Sequence, residues 1–387
     1  MSLQSLKLGA PPHVFSQAVD FYLFEASKQR VSDIHLAPRH MGGEVRFRVS
    51  GHLQCFRTIE NHLEWEDLLK EIKRRAGLAF QKGFAQDSRF SDARTRSDYR
   101  VSLVPVQIGN REAEQIVIRI LPQDAVFALE KLGLPPAALE ALHFALSANQ
   151  GLIIVTGPTG SGKTVTLMSA LCAIERDKYS VLTLEDPVEY TLPGITQVQV
   201  SDKLTFAQGL RAFLRQDPDY ILVGETRDSE TATALIQAAN TGHVVLTTLH
   251  TNSAAEAFTR LSALGVDENL ARENASFVCA QRLIPRLCAH CLEYDEEGAR
   301  KLQTLLPEIF ESQSSEHTSI KFPLKTKGCS ACNGTGFSGR ELLFEFIAPF
   351  KNAAGKRELV SSPTLKQSSI SLVRKGVINA SEALALL

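Results

Sequence analysis

No stretch of this 387-residue chain is apolar for long enough to cross a bilayer, and its first residues lack the basic-then-apolar layout of a signal peptide. The expectation is a cytosolic protein without direct membrane insertion, which leaves docking on a membrane protein open. Charge of one sign is missing too. The formal net charge is −1, and no basic segment is interleaved with aromatics. Nothing in that balance suggests a polyanion-binding surface, so no nucleic-acid partner is expected. There is no internal repeat, and there is no even set of cysteines. Seven is an odd number for a disulfide framework, and Cys55, Cys172 and Cys279 sit among apolar neighbours as small core residues do. What is left is an ordinary soluble composition, 44% hydrophobic and 22% charged, in a chain long enough for two or three domains with substantial cores.

What the chain does contain is a complete phosphate-binding loop, Gly157-Pro158-Thr159-Gly160-Ser161-Gly162-Lys163-Thr164. The apolar run from Gly151 to Thr156 reads as a buried strand, and Val165 to Ile174 reads as a helix. Glycines let the backbone fold around a polyphosphate, and the amides of the new helix point at its charge. Lys163 would reach the β- and γ-phosphates and the Thr164 hydroxyl would ligate Mg²⁺, with Val165 closing the nucleotide-binding stretch. The chain is expected to bind ATP or GTP.

A second apolar run, Tyr220 to Val223, delivers Gly224 and Glu225 to the C-terminal end of a strand, where α/β sheets place ligands. Glu225 is the candidate to orient or deprotonate an attacking water; its alternative is a carboxylate capping the next helix. Glu185, Asp186 and Glu189 follow another strand and suit a hydrated Mg²⁺ and its water network, or else a solvated acidic loop. His243 and His250 flank the run Val244 to Thr248. The two ends of that strand lie roughly 20 Å apart, so one phosphate cannot touch both. His250 is the better γ-phosphate sensor; His243 is a second sensor or a structural residue.

The organisation expected is a tail over 1–12, an α+β unit over 13–121, a linker over 122–134 and an α/β unit over 135–285. In the last, strand runs at Leu152 to Thr156, Val181 to Leu184, Tyr220 to Val223 and Val244 to Leu249 alternate with helices, the pattern of a parallel sheet covered on both faces. Residues 286–340 carry two C-x-x-C pairs, and 341–387 read as mainly helical. Cys288, Cys291, Cys329 and Cys332 suit a structural tetrahedral Zn²⁺ with no position open for chemistry. The 37 residues between the pairs exceed usual ribbon spacing, and reduced, metal-free cysteines are the alternative. His290 and His317 are fallback ligands, and the polar segment Ser312 to Lys321 reads as a loop.

Taken in order, several motifs resemble the ATPases of type II secretion and type IV pilus assembly. They are the P-loop, Glu185-Asp186-Pro187-Val188-Glu189-Tyr190, the run from Leu210 to Asp219, Val223 to Asp228, and Thr241-Gly242-His243 with Leu249 to Asn252. Ser32-Asp33-Ile34-His35 and Arg46-Phe47-Arg48 extend the match, which covers about residues 30 to 345. The resemblance implies a RecA-like P-loop ATPase core, an N-terminal α+β (PAS-like) domain, a tetracysteine zinc insertion and a helical C-terminus. It further implies a hexameric motor that hydrolyses ATP and acts on a polytopic inner-membrane platform protein, held peripherally at that membrane. The family uses arginines to compensate phosphate charge, and the matching positions are Arg100, Arg119, Arg211 and Arg215. Few residues precede the first helix, as in the short pilus or competence forms. Ser50 stands where an Asp is usual, and Gln81 to Phe90 matches the family's Gln-Asp-Gly-Arg loop only loosely. Three rivals are a pilus-retraction ATPase, whose relatives generally lack the cysteine insertion, a RecA-like nucleic-acid translocase, and a non-hydrolysing nucleotide-binding scaffold.

Overall fold

The computed structural model describes residues 15–29, 31–49, 51–122, 127–305, 324–332, 334–351 and 357–386. The 1–12 tail, Ser50, His317 and the polar run Ser312 to Lys321 lie outside the described residues. Contacts divide the chain into two compact units, Met1–Ala125 and Val126–Leu387. Among the described residues no helix is long and apolar enough to cross a membrane.

The first unit contains α1 (Phe15–Lys28), β1 (Asp33–Pro38), β2 (Gly43–Val49), β3 (His52–Ile59), α2 (His62–Ala76), β4 (Gln86–Asp92), β5 (Ser97–Ile108) and β6 (Arg111–Pro122). Its six strands pair antiparallel in the order β3-β2-β1-β6-β5-β4. Period-2 alternation sets one face of this sheet. Ile34, Leu36, Val45, Phe47, Val101, Leu103, Ile116 and Ile118 share a core with Leu23 of α1 and Trp65 and Leu68 of α2. Gly77, at φ 63°, ends α2 in the left-handed conformation that glycine adopts without strain. One ion pair is buried inside this unit, Lys73 Nζ to Glu114 at 2.6 Å. Removing either partner would strand a charge at a cost of about 3–5 kcal/mol. Alternation or helical periodicity in the sequence marks α1, β1, β2, α2, β5 and β6, whereas β4 carries no such mark.

The second unit begins with α3 (Pro136–Leu146), β7 (Gly151–Thr156), α4 (Lys163–Cys172), β8 (Val181–Glu185), β9 (Thr196–Gln199) and α5 (Phe206–Phe213). It continues with β10 (Tyr220–Val223), α6 (Ser229–Asn240), β11 (Val244–Leu249), α7 (Glu256–Ala263), α8 (Glu268–Asn274) and β12 (Ala275–Leu287). The rest is β13 (Leu292–Tyr294), α9 (Glu296–Leu305), β14 (Leu324–Thr326), β15 (Phe337–Lys351), β16 (Arg357–Ser361), α10 (Leu365–Arg374) and α11 (Ala380–Leu384). Eight strands form one sheet, β16-β15-β12-β7-β11-β10-β8-β9. β9 through β12 in that order are parallel, and β15 and β16 join antiparallel. Two separate apolar clusters cover the two faces, which is why β7, β10 and β11 are buried at every position.

One sequence expectation needs correcting here. The segment 341–387, read as mainly helical, first completes β15 and β16, and only then forms α10 and α11. The reason is burial on both sides. Phe344 packs into one cluster while Leu343 and Ile347 pack into the other, so no period-2 signal survives.

Candidate functional site

Three loops leave neighbouring strands of the second unit at their C-terminal ends. The P-loop follows β7, Glu225 follows β10 and His250 follows β11, and β11 lies between the other two. The register places Leu249 opposite Thr156 and Val223 opposite Thr247, so the loops start level with one another. Threonines lock the ends together. The Thr251 N–H donates to Thr156 Oγ1 at 2.8 Å, and Thr248 Oγ1 donates to the Gly224 carbonyl at 2.6 Å. Glu225 and His250 therefore leave a braced edge rather than a free loop.

The P-loop has the backbone its glycines permit. Gly157, Gly160 and Gly162 have φ values of 146°, 79° and 90°, and a side chain at Gly160 would meet nothing within 4 Å, leaving room for a ligand. Pro158 and Thr159 are exposed, Thr164 is half-buried at the first turn of α4, and Val165 faces outward. Lys163 Nζ donates to the carbonyls of Gly157 at 2.7 Å and Pro158 at 3.0 Å, without a carboxylate. Burial, and after it the charge of Arg282, pushes its pKa down to about 8. Ser161 Oγ is buried without any hydrogen-bond partner among the described residues. An orphaned hydroxyl, a lysine resting on carbonyls and open space over Gly160 fit a polyphosphate.

Two residues of this site escaped the sequence reading. Gln281, fully buried on β12, donates from Nε2 to the Ser161 carbonyl at 2.7 Å and accepts from Thr166 Oγ1 at 3.0 Å, stapling the P-loop to the sheet. Arg282, next along, donates to the Asn252 carbonyl at 3.1 Å and to Asn252 Oδ1 at 3.2 Å. It passes close to Gly157, where an added side chain would meet Nη1. Only the pairing of β12 with β7 brings these two to the P-loop, and 120 residues of sequence hide it.

Glu225 is half-buried and paired with Arg227, whose Nη2 donates to Oε2 at 2.7 Å. His250 is exposed. Partial burial, then the nearby charges of Lys163 and Arg227, lower its pKa and favour a neutral imidazole. His243 is put to a different use at the far end of β11. Its Nδ1 lies 3.0 Å from the Ala238 carbonyl and 3.3 Å from Thr241 Oγ1, closing the end of α6. A phosphate at the P-loop is out of its reach.

The acidic box divides. Glu185 is buried, and its Oε1 accepts from Thr183 Oγ1 at 2.6 Å and Gln197 Nε2 at 2.9 Å; burial raises its pKa. Asp186 is exposed and Glu189 half-buried, and the three carboxylates do not converge on one point. β8 stands three strand spacings from β7, about 14 Å, so only the loop beyond it could approach a metal at the P-loop. Arg211, near the end of α5, pairs with Glu230 at 2.6 Å, and Arg215 donates to the Arg211 carbonyl at 2.8 Å; both are exposed.

Arg100 and Arg119 belong to the first unit, where they are direct cross-strand partners. The same row runs through Arg89 on β4 and Asp33 and Arg48 on the other side. Asp33 holds Arg119 at 3.0 Å and Arg48 at 3.7 Å, whereas the Arg100 side chain makes no hydrogen bond or ion pair among the described residues. Like charges directly opposite on a sheet repel, and an arriving anion relieves that cost. Arg89 was missed because its strand was missed; once the register is known it stands in the row.

The four cysteines converge. Their sulfurs lie within 4.8 Å of one another, with Sγ–Sγ separations of 3.9 Å for Cys288–Cys329, 4.0 Å for Cys291–Cys332 and 3.8 Å for Cys329–Cys332. A tetrahedron of thiolates around Zn²⁺ has edges of about 3.8 Å. The N–H groups of Cys329 and Gly336 donate to Cys332 Sγ at 3.2 and 3.1 Å, as they would to a metal-bound thiolate. β13 and β14 pair beside the knuckle, bridging the long spacing between the two C-x-x-C pairs.

Comparison with known proteins gives the family. The model of the type II/IV secretion system protein family matches residues 13–383. The type II secretion system protein HxcR of Pseudomonas aeruginosa is 41% identical over 335 residues, covering 85% of this chain and 65% of that protein. The type IV pilus assembly ATPase PilB of Thermus thermophilus is 37% identical over 383 residues, 93% of this chain and 42% of that one. The chain thus spans less than two thirds of the length of these relatives. Among solved structures, the pilus retraction motor PilT with bound ADP superposes with a TM-score of 0.61 at 25% identity, over 95% of this chain and 96% of that one. The ATPase DotB of Yersinia pseudotuberculosis gives 0.68 at 19% identity, over 100% and 97%, a likeness of fold alone.

Proposed function

This chain belongs to the type II/IV secretion system protein family, and from that premise we propose that it is an ATPase whose turnover powers assembly of a type IV pilus or a type II secretion pseudopilus. The observation that carries the reading is the set of three level strand ends holding Lys163, Glu225 and His250 around a P-loop with an orphaned hydroxyl.

ATP is the substrate. Lys163 leaves the Gly157 and Pro158 carbonyls for the β- and γ-phosphates, whose charge keeps it protonated. Mg²⁺, held through the Thr164 hydroxyl, supplies charge neutralisation at those phosphates. Glu225, released from Arg227, orients the water and takes its proton as oxygen bonds to the γ-phosphorus and the bond to ADP breaks. His250, neutral, hydrogen-bonds the transferred group. Glu185 holds the β8 edge through Thr183 and Gln197, so that Asp186 and Glu189 can order water around the metal. Arg100, Arg119, Arg211 and Arg215 are assigned charge compensation for the polyphosphate.

The cysteine cluster is assigned a structural Zn²⁺, which favours assembly over retraction. The working form is a hexamer acting on an inner-membrane platform protein from the cytoplasmic side, with residues 13–121, 135–285 and 286–340 as its functional divisions. The test is sizing of the purified chain with and without a non-hydrolysable ATP analogue, together with ATP turnover of Lys163→Ala and Glu225→Gln. A nucleotide-dependent ring and loss of turnover by about 100-fold or more in both variants are expected. An unchanged monomer, or ordinary turnover in either variant, overturns the reading.

A further inference from the structure

Glu345 is a buried carboxylate that the mechanism above does not use. It lies on β15, only 6% exposed, opposite Ala280 of β12, which in turn lies opposite Thr156, the last residue before the P-loop. Its two oxygens serve two different segments. Oε1 accepts the Ala254 N–H at 2.5 Å, and Oε2 accepts the Leu365 N–H at 2.7 Å. Ala254 belongs to the loop that carries His250 and Asn252. Leu365 is the first residue of α10, just after its cap Thr364.

That loop is gripped from three sides. Thr156 holds Thr251, Arg282 reaches from beside Gly157 to hold Asn252, and Glu345 holds Ala254. One grip, Thr156, is the residue just before the P-loop, and a second, Arg282 of β12, lies against Gly157, so a phosphate that draws the P-loop together pulls on this loop. The third grip shares its carboxylate with the C-terminal helices. A cavity of about 600 Å³, lined by Pro158, Asn252, Arg282, Glu345, Leu365 and Leu386 among others, lies beside the joint and leaves α10 and α11 room to shift.

We propose that Glu345 is a positioning residue of the nucleotide site, a two-armed clamp that makes the 250–255 loop and the α10–α11 pair move as one body. A nucleotide that reseats His250 and Asn252 thereby reseats the C-terminal helices, and the seat of those helices in turn sets how well His250 is aimed. The inference rests on the ATPase reading above.

Two variants of the full chain test it. Glu345→Gln keeps the shape but turns an NH₂ group toward one of two backbone donors. Leu365→Pro removes the donor on the helix side together with a buried leucine side chain, at a first-turn position where proline is tolerated and after a Thr364 already extended at ψ 162°. Leu365→Ala, which keeps the N–H and removes the same side chain, is its control and should keep the ADP response. Both variants and the control are measured for ATP turnover, for ADP affinity by calorimetry and for backbone hydrogen exchange across α10 with and without Mg-ADP. In the wild type, ADP slows exchange across α10. In both variants that response disappears and kcat falls about tenfold, while KM and ADP affinity stay within about twofold. Exchange across α10 that still answers to ADP in both variants, or unchanged kcat, overturns the clamp. The two readings fail separately. A wild type that turns over no ATP sinks the functional assignment, whereas a wild type that hydrolyses ATP with α10 indifferent to nucleotide sinks the clamp alone.

Discussion

The two ends of the parallel sheet differ in how some of their polar groups are satisfied. At the N-terminal ends the groups close on the protein itself. The Tyr220 hydroxyl donates to the Leu146 carbonyl at 2.7 Å, Asp219 accepts the Ser180 N–H at 2.7 Å, and His243 closes α6. At the C-terminal ends Lys163 leans on two carbonyls, Ser161 Oγ has no partner among the described residues, and Glu225 is matched by the exposed Arg227. Volume does not separate the two, since a cavity of about 410 Å³ lined by His143, Tyr179 and Asp219 opens at the closed end. Satisfaction does. A hydrogen bond left unmade in a buried place costs about 1–3 kcal/mol, and it survives where a ligand completes it.

The sharpest way to break this contrast is to remove one histidine from each end of β11. His250→Ala is expected to lower ATP turnover about 100-fold, and His243→Ala to leave it within about twofold while lowering the unfolding midpoint by about 2–4 °C. Equal losses would erase the distinction. Next in size is Ser161→Ala, which should stabilise the nucleotide-free protein by about 1 kcal/mol and weaken ADP binding about tenfold. Thermal unfolding and calorimetry read the two effects, and a variant that is less stable without nucleotide would show the hydroxyl is not orphaned. At the closed end, Tyr220→Phe should cost about 1 kcal/mol of stability with turnover intact; a matching fall in turnover would place that end in the chemistry.

The smallest effect is a proton. Burial lowers the Lys163 pKa from 10.5 in the unfolded chain to about 8 in the folded one. The neutral form is thus favoured on folding. Its contribution is fully present above the unfolded value and is lost as pH falls through about 8. A bound polyphosphate restores the charge, so ADP binding just above pH 8 should take up a fraction of a proton. Calorimetry in two buffers of different ionisation enthalpy measures it, and identical heats would mean that Lys163 is already charged when it rests on the loop carbonyls.

What could be read from the residues alone follows from how local each signal is. The P-loop, its strand and its helix occupy one short stretch, and the runs that become β7, β8, β10 and β11 are continuous apolar segments because both sheet faces are covered. β12 and β15 were not seen. Pro285 interrupts the first, as do Gln281 and Arg282, and Glu345 sits inside the second; the last three are polar residues whose partners lie far away in sequence. The row from Arg89 to Arg48 is likewise a product of register. No spacing along the chain encodes it. His243 shows the converse. Its place just before Val244 already sets it at the N-terminal end of β11, and the structure adds the Ala238 carbonyl and Thr241 hydroxyl on which it closes.

The length of β12 has a consequence for durability. One strand bears the P-loop staple near its middle and Cys288, the first residue of the cysteine cluster, just past its tip, seven residues on, or roughly 23 Å. Oxidation or demetallation at the tip would have to unzip most of that paired length before Gln281 lost its hold. Distance along a single beam thus separates the P-loop from damage at the cysteine cluster.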